Sequence, residues 1–221
     1  MFAACWSVKG GSGTSVVAAS LALVLARTGP GALLVDLAGD APAVLGQAEP
    51  SGPGVTDWLA AGTGVPADAL ARLEVRVADG LDLLPRGEGD LTPAARVEVL
   101  AGLLASEPRS VVVDCGTCPP GRAGPGAAVE AVLAAASDRL LVTRACYLAL
   151  RRIVASQGRP TGVVLVTEPG RALGRSDVED VVGAPVVAEV PIEASVARAV
   201  DAGLLARRLP RALDRALGRA T

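Results

Sequence analysis

Residues 2–27, FAACWSVKGGSGTSVVAASLALVLAR, contain the stretch on which the fold assignment depends. Residues 2–8 form an apolar run of strand length, residues 9–13 form a turn with three glycines, and residues 14–27 form an apolar run of helical length. A strand that passes through a glycine-rich turn into a helix is typical of phosphate-binding loops. The N–H groups of the turn and the N-terminus of the helix both attract an anion. The stretch therefore predicts a strand, a phosphate-binding loop and a helix.

The alternation of apolar strands and helical stretches continues along the chain. Further strands are predicted at residues 32–36, 110–114, 139–143, 162–167 and 185–190, and further helices at residues 93–105, 127–136, 145–156 and 176–182. Between residues 38 and 89 the pattern loosens, and only brief strands at 73–77 and 81–84 are indicated. We expect one α/β domain over residues 1–221, with a single doubly wound, mostly parallel sheet that has helices on both faces.

The composition excludes several classes of protein. The 221 residues are 51% hydrophobic and 20% charged, which is typical of a globular domain and not of a disordered chain. No apolar run approaches the roughly 20 residues that span a bilayer, and no basic segment precedes the first apolar run as in a secretory signal. Four cysteines without such a signal indicate a reducing compartment, so a cytoplasmic location is expected, with peripheral attachment to a membrane as the alternative.

Charged and titratable residues are used unevenly. The net charge is −2, so bulk electrostatics does not recruit nucleic acid, although a local basic patch still could. Histidine is absent, which excludes the usual general base and the commonest metal ligand. Lys9 is the single lysine beside 20 arginines, and it lies in the glycine-rich turn. A lone compact ammonium at that position indicates a site for which the planar guanidinium of arginine is unsuited.

The turn KGGSGTS at residues 9–15 resembles the deviant Walker A motif of the ParA/MinD ATPases, in which KGGxG is followed by a lysine and a hydroxyl residue. The resemblance covers nearly the whole chain, through LLVDLAGD at 33–40, GLDLLPRG at 80–87, VVVDCGTCPP at 111–120 and VVAEVPIEASVARAV at 186–200. It implies a P-loop NTPase fold that binds ATP or ADP with Mg²⁺. It also implies an ATP-dependent homodimer that positions partition complexes, division septa, flagella or pili together with a protein partner that the sequence does not identify.

The resemblance also implies roles for individual residues. Lys9 would reach the phosphates bound by the partner subunit, Asp36 would support the switch I segment (residues 37–40), and Asp40 lies at the end of that segment. Ser15 and Asp114 would hold Mg²⁺. Nucleotide contacts are expected from Lys9, Gly10, Gly11, Ser12, Gly13, Thr14, Ser15, Thr167 and Pro191.

Three departures from the family pattern bear on the mechanism. Thr14 occupies the position of the second lysine, so a neutral hydrogen bond of about 1 kcal/mol replaces an ammonium–phosphate attraction of about 4 kcal/mol at an effective dielectric constant of 20. Ala38 occupies the position of the aspartate that orients the attacking water, and Thr167 that of the asparagine that reads adenine. We therefore expect weak ATP binding and slow or absent hydrolysis.

Several alternatives remain open at this point. The chain could be a dimeric interaction scaffold that has lost the nucleotide cycle, or a slow ATPase in which Asp40 replaces the missing aspartate. A loop without the second lysine also resembles the CpaE/TadZ branch, which places pilus machinery at cell poles. Cys115 and Cys118 form a CxxC pair, but no second pair or histidine completes a zinc site, so buried or loop thiols are favoured.

Residues 203–221 predict an amphipathic C-terminal helix. Leu209, Leu213 and Leu217 share one side at 100° per residue, and the arginines on the opposite side are Arg208, Arg211, Arg215 and Arg219. The resemblance offers two functions for such a helix, peripheral membrane attachment as in MinD and non-specific DNA contact as in ParA. The alternative is that the leucines close the core and the arginines are solvated.

Overall fold

The computed structural model describes residues 1–62, 64–91, 96–118, 126–156 and 158–219. Within these residues eight strands form one sheet: β1 (Phe2–Ser7), β2 (Ala32–Asp36), β3 (Val75–Ala78), β4 (Leu81–Leu84), β5 (Ser110–Thr117), β6 (Asp138–Arg144), β7 (Gly162–Thr167) and β8 (Val186–Pro191). Their order is β3-β4-β2-β5-β1-β6-β7-β8. Every neighbouring pair is parallel except β3–β4. The predicted fold class is confirmed.

Helices cover both faces of the sheet. The described α-helices are α1 (Thr14–Thr28), α2 (Ala41–Leu45), α3 (Val55–Ala60), α4 (Val97–Ser106), α5 (Ala127–Ala135), α6 (Tyr147–Val154), α7 (Arg175–Val182), α8 (Ala194–Asp201) and α9 (Arg211–Leu217). The helices α3 to α7 contribute to one hydrophobic cluster, whereas α1, α2 and α9 contribute to the other. Because alternate residues of each strand point to opposite faces, both clusters share the same strands.

The predicted strands are close to the observed ones. The bounds of β2, β4 and β7 agree with the prediction, whereas β5 runs three residues further than expected. A bulge brings Thr117 opposite Ser7 of β1, and the N–H of Cys118 donates to the Ser7 carbonyl at 2.7 Å, so β5 continues past Asp114. The loosely patterned stretch contains α2, α3 and a 3₁₀ helix (Ala67–Leu73). That 3₁₀ helix takes up Leu73 and moves the start of β3 to Val75.

The predicted helices are observed with shifted ends. The expected helix at 93–105 is observed as α4 from Val97, and residues 92–95 lie outside the described part of the chain. The expected helix at 145–156 is shorter, because Cys146 is in an extended conformation just before α6.

The C-terminal helix is confined to α9, because residues 204–208 form turns and Pro210 precedes the first helical residue. Leu209, Leu213 and Leu217 are buried in the cluster that includes α1. The arginines predicted on the opposite side are exposed, namely Arg208, Arg211, Arg215 and Arg219. The leucine side of α9 is therefore part of the core. No helix in the described ranges is long and apolar enough to cross a membrane.

β1 lies in the middle of the sheet, between β5 and β6. From β1 the chain builds β2, β4 and β5 on one side and β6, β7 and β8 on the other, so the strand order switches direction there. In parallel α/β sheets, ligands bind beyond the carboxyl ends of the strands at such a switch point. The topology therefore directs attention to the loop that follows β1.

Candidate functional site

The loop after β1 is held in shape by its own hydroxyl groups and glycines. The carbonyl of Lys9 accepts hydrogen bonds from the hydroxyls of Ser12 at 2.9 Å and Ser7 at 3.2 Å. Gly11 and Gly13 have φ values of +71° and +88°, which favour glycine strongly. The carbonyl of Gly13 then accepts the N–H of Val17 at 2.9 Å, in the first turn of α1.

An open cavity of about 780 Å³ lies over this loop, a volume that suits a small-molecule ligand. A Cβ placed on Gly10, Gly11 or Gly13 would meet nothing within 4 Å, so the loop borders open space. The wall includes the loop from Gly10 to Ser15, together with Leu37, Ala38, Asp40, Arg86 and Gly116. The structure thus brings the predicted loop and the switch I segment together around one cavity.

Lys9 lies outside this wall. Its ammonium donates to the carbonyl of Gly10 at 3.1 Å and is exposed, and no ion pair holds it within the described part of the chain. Glu168, beyond β7, lies close enough that Lys9 contributes to lowering its pKa, after the larger effect of Arg171. The only lysine of the chain is therefore free to contact a group outside its own cavity.

Asp36 organises the switch I segment from below. Its carboxylate is fully buried and accepts three backbone N–H groups, from Ala38 at 3.0 Å, Gly39 at 2.6 Å and Ala41 at 3.0 Å. Burial raises the pKa of Asp36 above its ordinary value, and the three N–H donors counteract part of that effect. Asp36 does not line the cavity, so its contacts support a positioning role.

Asp40 reaches the cavity wall from the end of the switch I segment. It is exposed, directly precedes α2 and makes no side-chain capping hydrogen bond there. Ala38 lies between it and Asp36, and a Cβ on Gly116 would approach the Ala38 Cβ to 3.0 Å. The carboxylate at the cavity wall on this side is therefore that of Asp40, two residues beyond the position that the family pattern implies.

Asp114 lies beside Asp36 in the sheet, as its register partner between β5 and β2. Its carboxylate is fully buried, and Oδ1 accepts the N–H of Gly116 at 3.0 Å, whereas Oδ2 has no hydrogen-bond partner in the described part of the chain. Burial, with a contribution from Asp36, raises the pKa of Asp114 to about 6, although the nearby Ser15 hydroxyl lowers it. A buried oxygen without a partner beside a serine hydroxyl is a costly arrangement in the absence of a ligand.

These two oxygens fit a Mg²⁺ ion. Mg²⁺ takes oxygen ligands and keeps several waters, and it is usually held by one or two protein groups plus substrate phosphates. Asp114 Oδ2 and the Ser15 hydroxyl would supply that protein share, and the cation would stabilise the charge of bound phosphates. No group of three histidine, cysteine, aspartate or glutamate side chains gathers into a metal cage within the described residues.

The burial of the cysteines favours their interpretation as buried or loop thiols. Cys5 and Cys115 are buried, and burial raises the pKa of both well above the ordinary value. Burial also raises the pKa of Cys118 to about 11, and its thiol lies 3.9 Å from the Cys115 carbonyl. Thiols with such pKa values stay protonated at neutral pH, so none of these three is a reactive thiolate.

Thr167 and Pro191 are placed together but away from the cavity wall. They end β7 and β8, respectively, and are register partners there, and the N–H of Ile192 donates to the Thr167 carbonyl at 2.9 Å. Neither lines the cavity over the glycine-rich loop, because β6 separates their strands from β1. Their contact with a nucleotide base therefore stays a prediction from the resemblance.

Arg86 is a residue of the wall that the sequence analysis did not single out. Its Nη1 donates to the carbonyl of Leu37 at 2.6 Å, so a guanidinium lies beside the switch I segment. The available signal was its position directly after β4 and Pro85, because β4 is parallel to β2 and ends at the same edge of the sheet. Thr14, by contrast, is the neutral, buried group of the wall that the sequence predicts.

Comparisons with known proteins agree with this fold. The family model described as cellulose biosynthesis protein BcsQ matches residues 2–109. A search of curated protein sequences found no match. A ParA family ATPase from Chlorobium tepidum TLS superposes with a TM-score of 0.79 at 20% identity, covering 98% of this chain and 95% of its own.

Two further solved structures of this fold contain nucleotide. The septum site-determining protein MinD of Pyrococcus horikoshii OT3, complexed with Mg-ADP, has a TM-score of 0.75 at 19% identity, with 99% of this chain and 93% of that chain covered. A Cyanothece McdA–ATP complex has a TM-score of 0.73 at 18% identity, with 100% and 95% covered. The chain therefore has the α/β fold of the ParA/MinD P-loop NTPases.

Proposed function

We propose that this chain binds Mg-ATP at the cavity over the glycine-rich loop and acts as a dimerising positioning or regulatory protein with weak or lost hydrolysis. The observation that carries the proposal is the buried Oδ2 of Asp114, which has no hydrogen-bond partner among the described residues and lies beside Ser15 of the cavity wall. A bound cation would supply the missing partner. The MinD complex with Mg-ADP and the McdA complex with ATP support nucleotide and Mg²⁺ as the ligands.

Slow turnover follows from the switch I segment. Phosphoryl transfer depends largely on positioning the attacking water, and Ala38 has no group that can do so. Asp40 lines the cavity and is the candidate base if hydrolysis occurs, since its side chain makes no capping contact. The second candidate function, a dimeric scaffold without a nucleotide cycle, is favoured by the neutral Thr14 and by Ala38.

Calorimetric titration of the chain with Mg-ATP tests nucleotide binding. We expect measurable heat at up to millimolar nucleotide, and we expect Ser15→Ala to weaken the Mg²⁺-dependent part of the affinity about tenfold, because one cation ligand is lost. Ser106→Ala is the matched control, since Ser106 is exposed on α4 and its hydroxyl donates to the Leu103 carbonyl within its own helix. Absence of heat with Mg-ATP at millimolar concentration would contradict ATP binding and leave the scaffold function.

ATP-driven dimerisation is the second test, and it addresses Lys9. Because the ammonium lies outside its own cavity and has no ion pair in the described ranges, we expect it to contact the nucleotide of a second copy. Light scattering should show a dimer with ATP for the unaltered chain and a monomer for Lys9→Ala, with Arg72→Ala as a control at an exposed cation. A Lys9→Ala variant that still dimerises with ATP would remove Lys9 from this role.

The partner and the surface to be occupied are proposed at the level of class. The MinC:MinD complex of Aquifex aeolicus is a structure of this fold with a protein partner, which supports a protein partner here. Because the leucines of α9 are buried, contact with a membrane or with DNA would rest on the exposed Arg208, Arg211, Arg215 and Arg219 alone. Such contact would be electrostatic and would weaken steeply with salt.

A further inference from the structure

The backbone that carries Arg86 is fixed by its neighbours. The Arg86 carbonyl accepts both the N–H and the hydroxyl of Thr56, at 2.8 and 2.9 Å, and the Pro85 carbonyl accepts the N–H of Val55 at 2.9 Å. A Cβ on Gly54 would approach the nitrogen of Gly87 to 2.3 Å, so the two segments pack backbone against backbone. The guanidinium is therefore presented to the cavity from a rigid base.

The side chain crosses the switch I segment and ends at the cavity wall. Its Nη1 donates to the Leu37 carbonyl at 2.6 Å, and its Cδ would lie 3.4 Å from a Cβ on Gly39. No carboxylate pairs with it among the described residues. A guanidinium has five N–H donors, so most of them remain available to a ligand.

Arg86 differs in charge from the other residues around the cavity. Arg86 is the only cation among the described residues of the wall, since Lys9 lies outside it, and Asp40 is the only carboxylate. The loop itself contributes N–H groups and the neutral Thr14. A polyphosphate in this cavity would meet no other full positive charge from its own subunit in that wall.

Strand order suggests which phosphate Arg86 would meet. The loop follows β1, and Arg86 follows β4, beyond β5 and β2. The base contacts that the resemblance implies, Thr167 and Pro191, end β7 and β8 on the opposite side. A nucleotide with its base toward β7 and β8 and its phosphates over the loop would direct its terminal phosphate toward β5, β2 and Arg86. The planar guanidinium suits phosphate oxygens because it can donate two parallel hydrogen bonds.

We propose that Arg86 binds the terminal phosphate of the nucleotide in its own subunit and takes the place of the lysine that is missing at Thr14. The proposal rests on nucleotide binding at this cavity. Because the same guanidinium holds the Leu37 carbonyl, phosphate binding by Arg86 would also fix the switch I segment. Arg86 would then make the segment respond to a triphosphate more strongly than to a diphosphate.

Titrations of Arg86→Gln and Arg86→Ala with Mg-ATP, Mg-ADP and magnesium tripolyphosphate test this role. Glutamine keeps an amide donor for the Leu37 carbonyl but loses the charge, so the two variants separate phosphate binding from structural support. We expect both variants to lower the affinity for ATP and tripolyphosphate at least about tenfold, and the affinity for ADP about threefold or less. Arg139→Ala is the matched control, since Arg139 donates to the Arg159 carbonyl far from the cavity.

The outcomes separate this inference from the proposed function. If the unaltered chain binds ATP and Arg86→Gln binds it equally well, with an unchanged ratio of ATP to ADP affinity, the role of Arg86 is overturned and ATP binding stands. If the unaltered chain binds tripolyphosphate but not ATP, and Arg86→Gln abolishes that binding, the phosphate role stands and the ATP function falls. If the unaltered chain binds none of the three, both fall.

Discussion

Replacement of Asp36 by alanine is expected to lower the free energy of unfolding by about 3 kcal/mol and the melting temperature by about 10 °C. Three N–H groups, from Ala38, Gly39 and Ala41, lose their acceptor in this variant. Each buried donor without a partner costs about 1–3 kcal/mol. Part of that cost is offset because the variant no longer buries a charge and because residues 38–40 are partly open to water.

Urea denaturation followed by circular dichroism measures this change. Asp68→Ala is the control, because the Asp68 carboxylate forms an exposed ion pair with Arg72. Loss of this ion pair should change the free energy of unfolding by less than about 0.5 kcal/mol. Asp36→Asn should fall between alanine and the unaltered chain, since Oδ1 is kept but an N–H donor then faces the N–H of Ala41. A loss below about 1 kcal/mol for Asp36→Ala would show that water replaces the carboxylate.

Replacement of the neighbouring Asp114 by asparagine is expected to act in the opposite direction, and to stabilise the ligand-free protein by about 3 kcal/mol at neutral pH. Burial raises the pKa of Asp114 from 3.8 to about 6, and each pKa unit corresponds to about 1.4 kcal/mol. Asparagine removes the buried charge while its amide can donate to a neighbouring oxygen. The same variant should lose the effect of Mg²⁺ on nucleotide affinity, because the amide is a poor cation ligand beside phosphate.

The pH dependence gives the sign of this effect. Between about pH 4 and pH 6 the folded chain keeps the Asp114 proton that the unfolded chain has lost, so the contribution of Asp114 to stability falls as the pH rises through that window. Above about pH 6 the difference in stability between the unaltered chain and Asp114→Asn should be constant, and below about pH 4 it should vanish. Denaturation of both proteins at pH 4 and pH 7.5 measures this, and a variant less stable than the unaltered chain at pH 7.5 would contradict it.

Asp36 and Asp114 affect stability in opposite directions because their hydrogen-bond partners differ, and not because their burial differs. Both are fully buried and lie side by side on β2 and β5. Among the described residues, Asp36 has three N–H donors, so it stabilises the switch I segment, whereas Asp114 has one N–H donor and an oxygen without a partner. A residue that serves ligand binding is expected to lower the stability of the ligand-free protein in this way.

Much of the fold could be predicted from local patterns. Apolar runs of strand length located β2, β4 and β7 within the observed bounds, and three closely spaced glycines located the loop before α1. Residues 38–89 were harder, because short helices such as α2 and α3 have too few residues for a periodic pattern to emerge. The C-terminal helix was predicted longer than α9, since the leucine spacing continues through turns that periodicity alone does not detect.

Only the glycine-rich loop, the part of the site that one continuous segment forms, was predictable from the residues themselves. The residues at the ends of β2 and β5 were connected with the loop only through the family resemblance. Arg86 was not expected, since it reaches Leu37 across 49 residues of chain. Thr167 and Pro191 do not line the cavity wall, because β6 lies between β7 and β1, and their contact with a base stays a prediction from the resemblance.

By itself, the sequence determined the phosphate-type loop, the parallel sheet and the neutral groups at positions 14 and 38, because backbone conformation and strand burial depend on residues close together in the chain. Tertiary structure alone decided that Arg86 faces the cavity, that Lys9 does not, and that Asp36 and Asp114 differ in their partners. Those outcomes depend on which strands become neighbours. Neighbouring strands bring together side chains far apart in sequence, and only that packing determines which charge meets which oxygen.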